Sequence, residues 1–292
     1  MNMFKTVLVP LLGRGRDSEV LETAREVMLD MGGHLDCLYV HDDAADLIAC
    51  MQTDAMGVPV TSPELITTLQ QQALAQRAQA RRAFDHFCQT RGIVSPTSPS
   101  AGRISASWRD VSDNVPATVS EAAHYSDAVI IERTPKPLEM SPADLGSIVI
   151  GAGRPVLLFP EDWRPRPIRH VAIAWKDTPE AARAVSTALP VLLQARQVSL
   201  FAASEDYTLN AAEKSVHACA AFLRWHGIDP EIRCMESDEE DAKALVFAGA
   251  AGVGADLVVM GAYGHSRLRE LAFGGFTRRV LLESALATML VH

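Results

Sequence analysis

The chain has 292 residues, of which 48% are hydrophobic and 22% charged, so it is long enough for two globular domains and too apolar to be disordered. Its formal net charge of −9 opposes a phosphate backbone, which argues against nucleic acid as a partner. No apolar run approaches the roughly 18 residues that a membrane span needs, and we expect no membrane partner.

The cysteines carry no pattern of a metal or disulfide site. There are five, they are scattered, and none has a CxxC or histidine partner at ligand spacing: Cys37, Cys50, Cys88, Cys219 and Cys234. This usage predicts reduced thiols and no metal centre. The first residues enter an apolar run without the layout of a signal peptide, so we expect a cytoplasmic protein.

The first half of the chain predicts five strands with helices between them. The strands are short apolar runs rich in β-branched residues at 6–11, 35–40, 103–108, 127–131 and 155–159. Apolar residues at helical spacing predict helices at 18–31, 63–91, 115–124 and 142–151. Residues 41–63 form an irregular insertion, which is compatible with a lid, a dimer contact or no particular role.

After a proline-rich linker at 161–167, the same pattern begins again. Strands are predicted at 170–175, 198–202, 230–235, 255–260 and 287–291, and helices at 179–193, 209–226, 239–252 and 276–284. The chain therefore contains two degenerate copies of one unit, and we expect domains at 1–160 and 168–292.

Strands that alternate with helices predict parallel sheets covered by helices on both faces. Ligands of such sheets bind beyond the carboxyl ends of the strands, where the strand order reverses. In the second copy three segments are expected to meet there, namely 174–178, the end of the strand at 198–202, and the segment 261–277.

The segment after the strand at 255–260 is rich in glycine. Gly261 and Gly264 leave the strand, and after nine intervening residues Gly274 and Gly275 precede the predicted helix at 276–284. Glycine permits positive φ and a close approach of a ligand to the main chain, and free amides at a helix start attract anions. The glycines are also compatible with simple turns and a close-packed helix start, but the strand before and the helix after favour a phosphate site.

This spacing resembles the phosphate-binding signature of the universal stress protein family, Gly-x2-Gly-x9-Gly-(Ser/Thr). Gly275 stands where nucleotide-binding members carry the hydroxyl residue, while Thr277 stands where a second hydroxyl of the pattern falls. The resemblance covers the whole chain and is closer in the second copy. It implies two tandem flavodoxin-like or Rossmann-like α/β units with doubly wound parallel sheets, related by a pseudo-twofold axis and paired through their last strands. Residues 156–158 are then expected beside 289–291, which would cover two short apolar edges.

The resemblance also implies an adenine nucleotide, ATP or AMP, as the ligand of the second copy. In nucleotide-binding members an aspartate ends the first strand, whereas Lys176 holds that place here and Asp177 follows. Either Lys176 contacts a phosphate, or Asp177 replaces the aspartate, or Lys176 has no role. The candidate nucleotide-binding residues are Ala174, Trp175, Lys176, Asp177, Met260, Gly261, Gly264, His265, Gly274, Gly275, Phe276 and Thr277.

The corresponding positions of the first copy depart from the family pattern. Leu12 takes the place of the aspartate, residues 132–135 with Glu132 and Pro135 replace Gly-x2-Gly, and only Gly146-Ser147 matches the later half of the signature. A carboxylate and prolines remove the free amides that an anion needs. We therefore expect the first copy to have lost the phosphate site and to serve as a structural or regulatory half.

No catalytic residue is predicted. His265 and Ser266 are adjacent on a loop, and no third residue is placed to orient the histidine. The resemblance implies a stress-response protein with the two units paired internally, and a homodimer is left open. The lack of a catalytic set favours a regulatory role in which any ATP hydrolysis is slow. A nucleotide-free protein-interaction module is the alternative, favoured by Gly275 and Lys176. An α/β ligase or pyrophosphatase ranks last, because neither copy has a Ser-Gly-Gly loop or an acidic metal pair after its first strand.

Overall fold

The computed structural model describes residues 4–29, 32–41, 63–94, 102–133, 140–204, 209–236, 239–262 and 284–292. Its strands are β1 (Thr6–Leu11), β2 (Gly33–His41), β3 (Ile104–Ser112), β4 (Ala128–Arg133), β5 (Val156–Pro160), β6 (His170–Trp175), β7 (Gln197–Ser204), β8 (Glu231–Glu236), β9 (Leu257–Gly261) and β10 (Ala287–Val291). Its helices are α1 (Asp17–Met28), α2 (Pro63–Arg91), α3 (Val115–Ala123), α4 (Pro142–Gly151), α5 (Pro179–Leu192), α6 (Leu209–Trp225) and α7 (Glu239–Gly252).

The strands form one sheet in the order β3-β2-β1-β4-β5-β10-β9-β6-β7-β8. Neighbouring strands are parallel everywhere except between β5 and β10, which pair antiparallel. Reading outward from this central pair, both halves show the same strand order. The predicted α/β class with two doubly wound units is therefore confirmed.

The predicted internal pairing is also confirmed at the level of single residues. Leu157 lies opposite Met289, with Val156 opposite Leu290 on one side and Leu158 opposite Thr288 on the other. The two expected sheets are thus halves of one continuous sheet, because each half supplies the other with hydrogen bonds for its last strand. The domain limits at 160 and 168 stay a prediction.

Helices cover both faces of the sheet, which explains why the central strands are continuously apolar. Buried residues of α1, α2, α5 and α6 share one core with the sheet, and that core spans both halves. Residues of α3 and α4 pack on the opposite face of the first half, and residues of α7 on the same face of the second half. Within the described ranges, no helix combines the length and the apolar character needed to cross a bilayer.

Most boundaries of the described elements lie within two residues of the predicted ones, and two differ by more. β3 continues to Ser112, because it pairs in register with β2 from Gly33 to His41 and its later residues gain backbone hydrogen bonds despite their polarity. α1 begins at Asp17 and ends at Met28, earlier at its end than the predicted residue 31. The insertion beyond His41 and the predicted helix at 276–284 fall outside the described residues, apart from Ser284.

Candidate functional site

The sheet has two points at which the strand order reverses, one in each half. In the first half the reversal lies between β1 and β4, and in the second between β6 and β9. Because β5 and β10 run antiparallel, the carboxyl ends of the two sets of strands lie at opposite ends of the sheet. Each reversal point is a place where α/β sheets bind ligands.

In the second half the structure brings together the described part of the predicted site. Ala174 on β6 lies opposite Met260 on β9, so the carboxyl ends of these strands are side by side. Lys176 and Asp177 follow β6 and are exposed, and Gly261 ends β9. The other predicted residues stay predictions because they lie outside the described part of the chain: Gly264, His265, Gly274, Gly275, Phe276 and Thr277.

Gly261 lies directly against the first turn of α5. A Cβ atom on this residue would lie 2.7 Å from the amide nitrogen of Ala181 and 2.7 Å from the carbonyl carbon of Glu180. Only glycine fits so close to another backbone. The glycine-rich segment therefore starts in contact with a helix N-terminus, where Thr178 accepts the Ala181 N–H through its hydroxyl at 3.3 Å.

Trp175 is turned towards α6. Its indole N–H donates to the Ser215 hydroxyl at 3.2 Å, and its ring packs on the core beneath α5 and α6. Side chains alternate along a strand, so Ala174 packs on the opposite face, with the core of α7. The structure thus places Trp175 at the predicted site through its backbone, while its side chain supports α6.

The chain beyond β9 is held to β10 as far as residue 262. The Ala262 amide donates to the Val291 carbonyl at 2.8 Å, and the ring Nδ1 of His292 lies 3.2 Å from the Ala262 carbonyl oxygen. These contacts fix the exit of the glycine-rich segment relative to the central strands.

The first half uses the amides of its equivalent loop internally. Asp17 is 5% exposed, and its Oδ1 accepts the amides of Leu12 at 3.0 Å and Gly13 at 3.3 Å. Burial raises the pKa of Asp17, while the two backbone hydrogen bonds oppose the rise. In the orientation that satisfies both neighbours, the Gln79 carboxamide donates to the Gly13 carbonyl and accepts the Gly15 amide, at 3.2 Å each.

The sequence-based argument for a lost phosphate site in the first half relied mainly on residues 132–135. It did not include the hydrogen bonds of Asp17 and Gln79 to the loop after β1. The β1–α1 loop does contain glycines in left-handed conformation, Gly13 at φ 69° and Gly15 at φ 95°. The amides of Leu12, Gly13 and Gly15, which could otherwise bind an anion, are engaged by Asp17 and Gln79. An acid at the first position of a helix after a glycine loop was the signal that could have revealed it.

Two charged residues end β4 in the first half. Glu132 pairs with Arg16 at 2.6 Å, and burial raises the pKa of Glu132 to about 7 although Arg16 opposes the rise. Arg133 is 4% exposed and donates to the carbonyl of Ser284 in the second half. Burial lowers the pKa of Arg133 to about 10, against the attraction of Asp162. The end of β4 is therefore hydrogen-bonded to Ser284, the first described residue after the glycine-rich segment.

Among the described residues, no group of three histidine, cysteine or acidic side chains is arranged to hold a metal ion.

Neither a family model nor a curated protein matches this chain. Solved structures do match. A universal stress protein from Archaeoglobus fulgidus DSM 4304 is 15% identical with a TM-score of 0.62, over 98% of this chain and 95% of that one. A putative universal stress protein from Pseudomonas aeruginosa UCBPP-PA14 is 16% identical with a TM-score of 0.61, over 99% and 94%.

The cytoplasmic domain of a prokaryotic cation chloride cotransporter also matches, at 14% identity and a TM-score of 0.55, over 98% of this chain and 95% of that one. Similarity at these identities concerns the fold, which different functions share. The resemblance drawn from the glycine spacing is confirmed at this level: over nearly its whole length, the chain has the fold of the universal stress proteins.

Proposed function

We propose that the second half binds an adenine nucleotide, ATP or AMP, beyond the carboxyl ends of β6 and β9. The observation that carries the proposal is the contact of Gly261 with the first turn of α5 at the reversal point. It supports a site in which the glycine-rich segment and a helix N-terminus face the same anion. Exposed Lys176 adds a positive charge at the same edge of the sheet.

In this proposal the protein is a cytoplasmic stress-response regulator of two units, 1–160 and 168–292, and not an enzyme. The nucleotide stabilises one arrangement of the two halves or of a homodimer, as a ligand does when it binds one state more tightly. The described residues at the edge of β6 and β9 offer Lys176, Asp177 and Thr178, and the next acid, Glu180, is already ion-paired with Arg183 at 2.9 Å, which disfavours a metal ion held there for hydrolysis.

A nucleotide-free interaction module is the second candidate. It is favoured by the exposed Lys176 at the position where nucleotide-binding members of the resembled family carry aspartate. In that case the glycines serve only close packing, as Gly261 does against α5.

The test is nucleotide binding by the full chain. Denaturing mass spectrometry of the purified protein and calorimetric titration with ATP and AMP should detect bound adenine nucleotide. Gly264→Asp places a carboxylate in the predicted phosphate loop and should weaken binding at least about tenfold by charge repulsion. Gly254→Asp is the control, because it adds the same charge in the same half, at the amino end of β9, where an added Cβ has no other atom within 4 Å. Gly254 has φ 69°, so this control also carries some backbone strain, and circular dichroism verifies that both variants are folded.

A second pair of variants examines Lys176. Lys176→Gln should weaken ATP more than AMP if the lysine contacts phosphate, whereas Lys5→Gln, an exposed lysine before β1, should change neither. No copurified nucleotide and no heat of binding at about 1 mM ATP or AMP would contradict the proposal and support the interaction module.

A further inference from the structure

The outer face of α6 carries exposed apolar side chains. Trp225, the last residue of this helix, is 91% exposed, and Phe222 is 39% exposed. Ala218 and Ala221, one and two turns before Trp225, are exposed as well. Single exposed apolar residues are common on protein surfaces, whereas a tryptophan grouped with further apolar side chains is typical of an interaction surface.

The opposite face of α6 holds the helix on the sheet. Val216, Ala220 and Leu223 are buried in the core that α6 shares with β7 and β8. β8 is the edge strand of the second half, so α6 lies at the periphery of the sheet. Among the described residues, no element covers the outer face of the helix. This face is therefore accessible to a partner.

The exposed residues follow the spacing of a helix–helix interface. Four of them are separated by four, three and four positions: Lys214, Ala218, Ala221 and Trp225. This is the alternating spacing of the a and d positions of a heptad, and it places the four side chains on one line along the helix. We call these four residues and Phe222 the α6 stripe. Its spacing fits a second α-helix that lies along it.

The sizes of the side chains indicate the direction of that second helix. Ala218 and Ala221 lie in the middle of the α6 stripe, where small side chains permit a close approach of two helices. If two α6 helices pack antiparallel, Trp225 of one copy lies beside Lys214 of the other, whose stem and ammonium can pack on the indole ring. If they pack parallel, the two Trp225 side chains meet and hold the alanines apart.

Charges beside the α6 stripe favour the same direction. Burial and the charge of Glu213 raise the pKa of Cys234 on β8, and Arg224 pairs with Asp229, just before β8, at 2.7 Å. Glu213 and Arg224 therefore lie on the same side of α6, at its two ends. In an antiparallel pair Glu213 of one copy lies near Arg224 of the other, and symmetry repeats the contact. In a parallel pair like charges would face each other.

We propose that the α6 stripe is the interface of a homodimer, in which two α6 helices pack antiparallel about a twofold axis between Ala218 and Ala221. The indole ring of each Trp225 packs on Lys214 of the other copy. Each copy contributes one helix, so the buried area is at the low end for specific complexes, and the dissociation constant is in the micromolar range, on the order of 10 μM. No residue of this interface belongs to the proposed nucleotide site.

The experiment is sedimentation velocity of the full chain from about 1 to 200 μM, with a reductant present so that the exposed Cys234 cannot form a disulfide between copies. We expect the mass to rise from that of one chain to that of two. Trp225→Ala should weaken the dimer at least about tenfold, since tryptophans contribute strongly to interfaces. Tyr125→Ala is the matched control, because Tyr125 is an aromatic residue of the first half that is 87% exposed, and it should change nothing.

Further variants test the contact between the helices. Ala218→Glu places a large charged side chain where the helices are closest and should leave only single chains up to about 200 μM. Glu213→Arg and Arg224→Glu should each weaken the dimer several-fold, and the double variant should restore it, because the exchanged charges attract again. In a parallel pair like charges would face each other with or without these changes. Circular dichroism verifies that each variant is folded.

Two results would overturn the proposal. One is the mass of a single chain over the whole concentration range, which would leave the α6 stripe to a different protein. The other is a dimer that the folded Trp225→Ala and Ala218→Glu variants leave unchanged. A dimer that Trp225→Ala weakens but neither charge variant changes would overturn the antiparallel direction. None of these results bears on nucleotide binding, so the two proposals fail separately.

Discussion

The loop between the first strand and the first helix makes different contacts in the two halves. In each, the chain leaves the first strand at the reversal point and enters a helix, α1 in the first half and α5 in the second. In the first half Asp17 folds back onto the amides of Leu12 and Gly13. In the second, Lys176 and Asp177 stay exposed, and Thr178 caps α5.

The difference shows that glycine content is a poor guide to an anion site. The first-half loop has two glycines with positive φ, the geometry that builds amide nests, yet a carboxylate of the same chain already occupies the amides. What matters is whether the amides are unpaired. An internal acid can therefore abolish a phosphate site while it preserves the backbone shape.

The largest expected effect tests how rigid the first-half loop is. A Cβ atom on Gly13 would lie 2.2 Å from the Gln76 carbonyl oxygen, on the backbone of α2, and the residue has φ 69°. Gly13→Ala should lower the free energy of unfolding by about 4 kcal/mol, since it combines left-handed strain with displacement of a helix backbone. Urea denaturation measures the change.

Gly92→Ala is the matched control for this substitution. Gly92 has φ 61°, but a Cβ atom added to it would have no other atom within 4 Å, so this position reports the backbone strain alone. We expect a loss of about 1 kcal/mol. Equal losses of unfolding free energy at the two positions would mean that the contact between Gly13 and α2 adds no steric cost.

The next effect concerns the pH dependence of stability in the first half. The folded pKa of Glu132, about 7, lies above the ordinary value of 4.5, so the folded protein binds this proton more tightly than the unfolded chain does. Stability should then fall as pH rises from 4.5 to 7, by at most about 3 kcal/mol, and stay level above 7. Glu132→Gln should remove this fall.

The measurement is the difference in unfolding free energy between wild type and Glu132→Gln at several pH values, because other titrating groups cancel. Glu121→Gln, on the exposed side of α3, should give a difference that does not change with pH. A Glu132→Gln difference that is flat between pH 4.5 and 7 would show that Arg16 holds the glutamate ionised throughout.

The fold could be predicted from the sequence because its central strands are buried on both faces and its helices on one. Runs such as Thr6–Leu11 and His170–Trp175 are then continuously apolar, and a short linker separates two copies of one pattern. The meeting of Ala174 and Met260 was predictable as well, since adjacent parallel strands end at one edge.

The state of the first-half site was less predictable, because long-range contacts decide it. Gln79 reaches the glycine loop from α2, and Arg133 meets Ser284 across 151 positions of the chain. No periodicity reports such contacts. Asp17 is a local exception, since an acid in a first helical turn close to glycines is visible in the sequence.

A smaller loss of stability is expected from a substitution that frees the amides of the first-half loop for an anion. Asp17→Ala leaves the amides of Leu12 and Gly13 without an acceptor, and should cost about 2 kcal/mol of unfolding free energy. Phosphate at about 10 mM should then stabilise the variant more than the wild type, because it can bind the freed amides. Thermal unfolding with and without phosphate measures this, with Asp17→Asn as the control that retains the acceptor.

The smallest expected loss of stability tests whether the Trp175 side chain supports the fold of the second half or contacts the proposed ligand. The indole N–H of Trp175 donates to Ser215 on α6, and its ring lies on the face of the sheet opposite Ala174. Trp175→Phe should therefore cost only about 1 kcal/mol, the value of one hydrogen bond between neutral groups, and leave nucleotide affinity unchanged. Ser215→Ala should cost a similar amount, and the double variant no more than either alone, because both remove the same bond. If Trp175→Phe instead weakens ATP binding while Ser215→Ala does not, the indole itself contacts the nucleotide. The second half would then recognise the base through the end of β6, and the equivalent end of β1 in the first half carries Leu11 and Leu12.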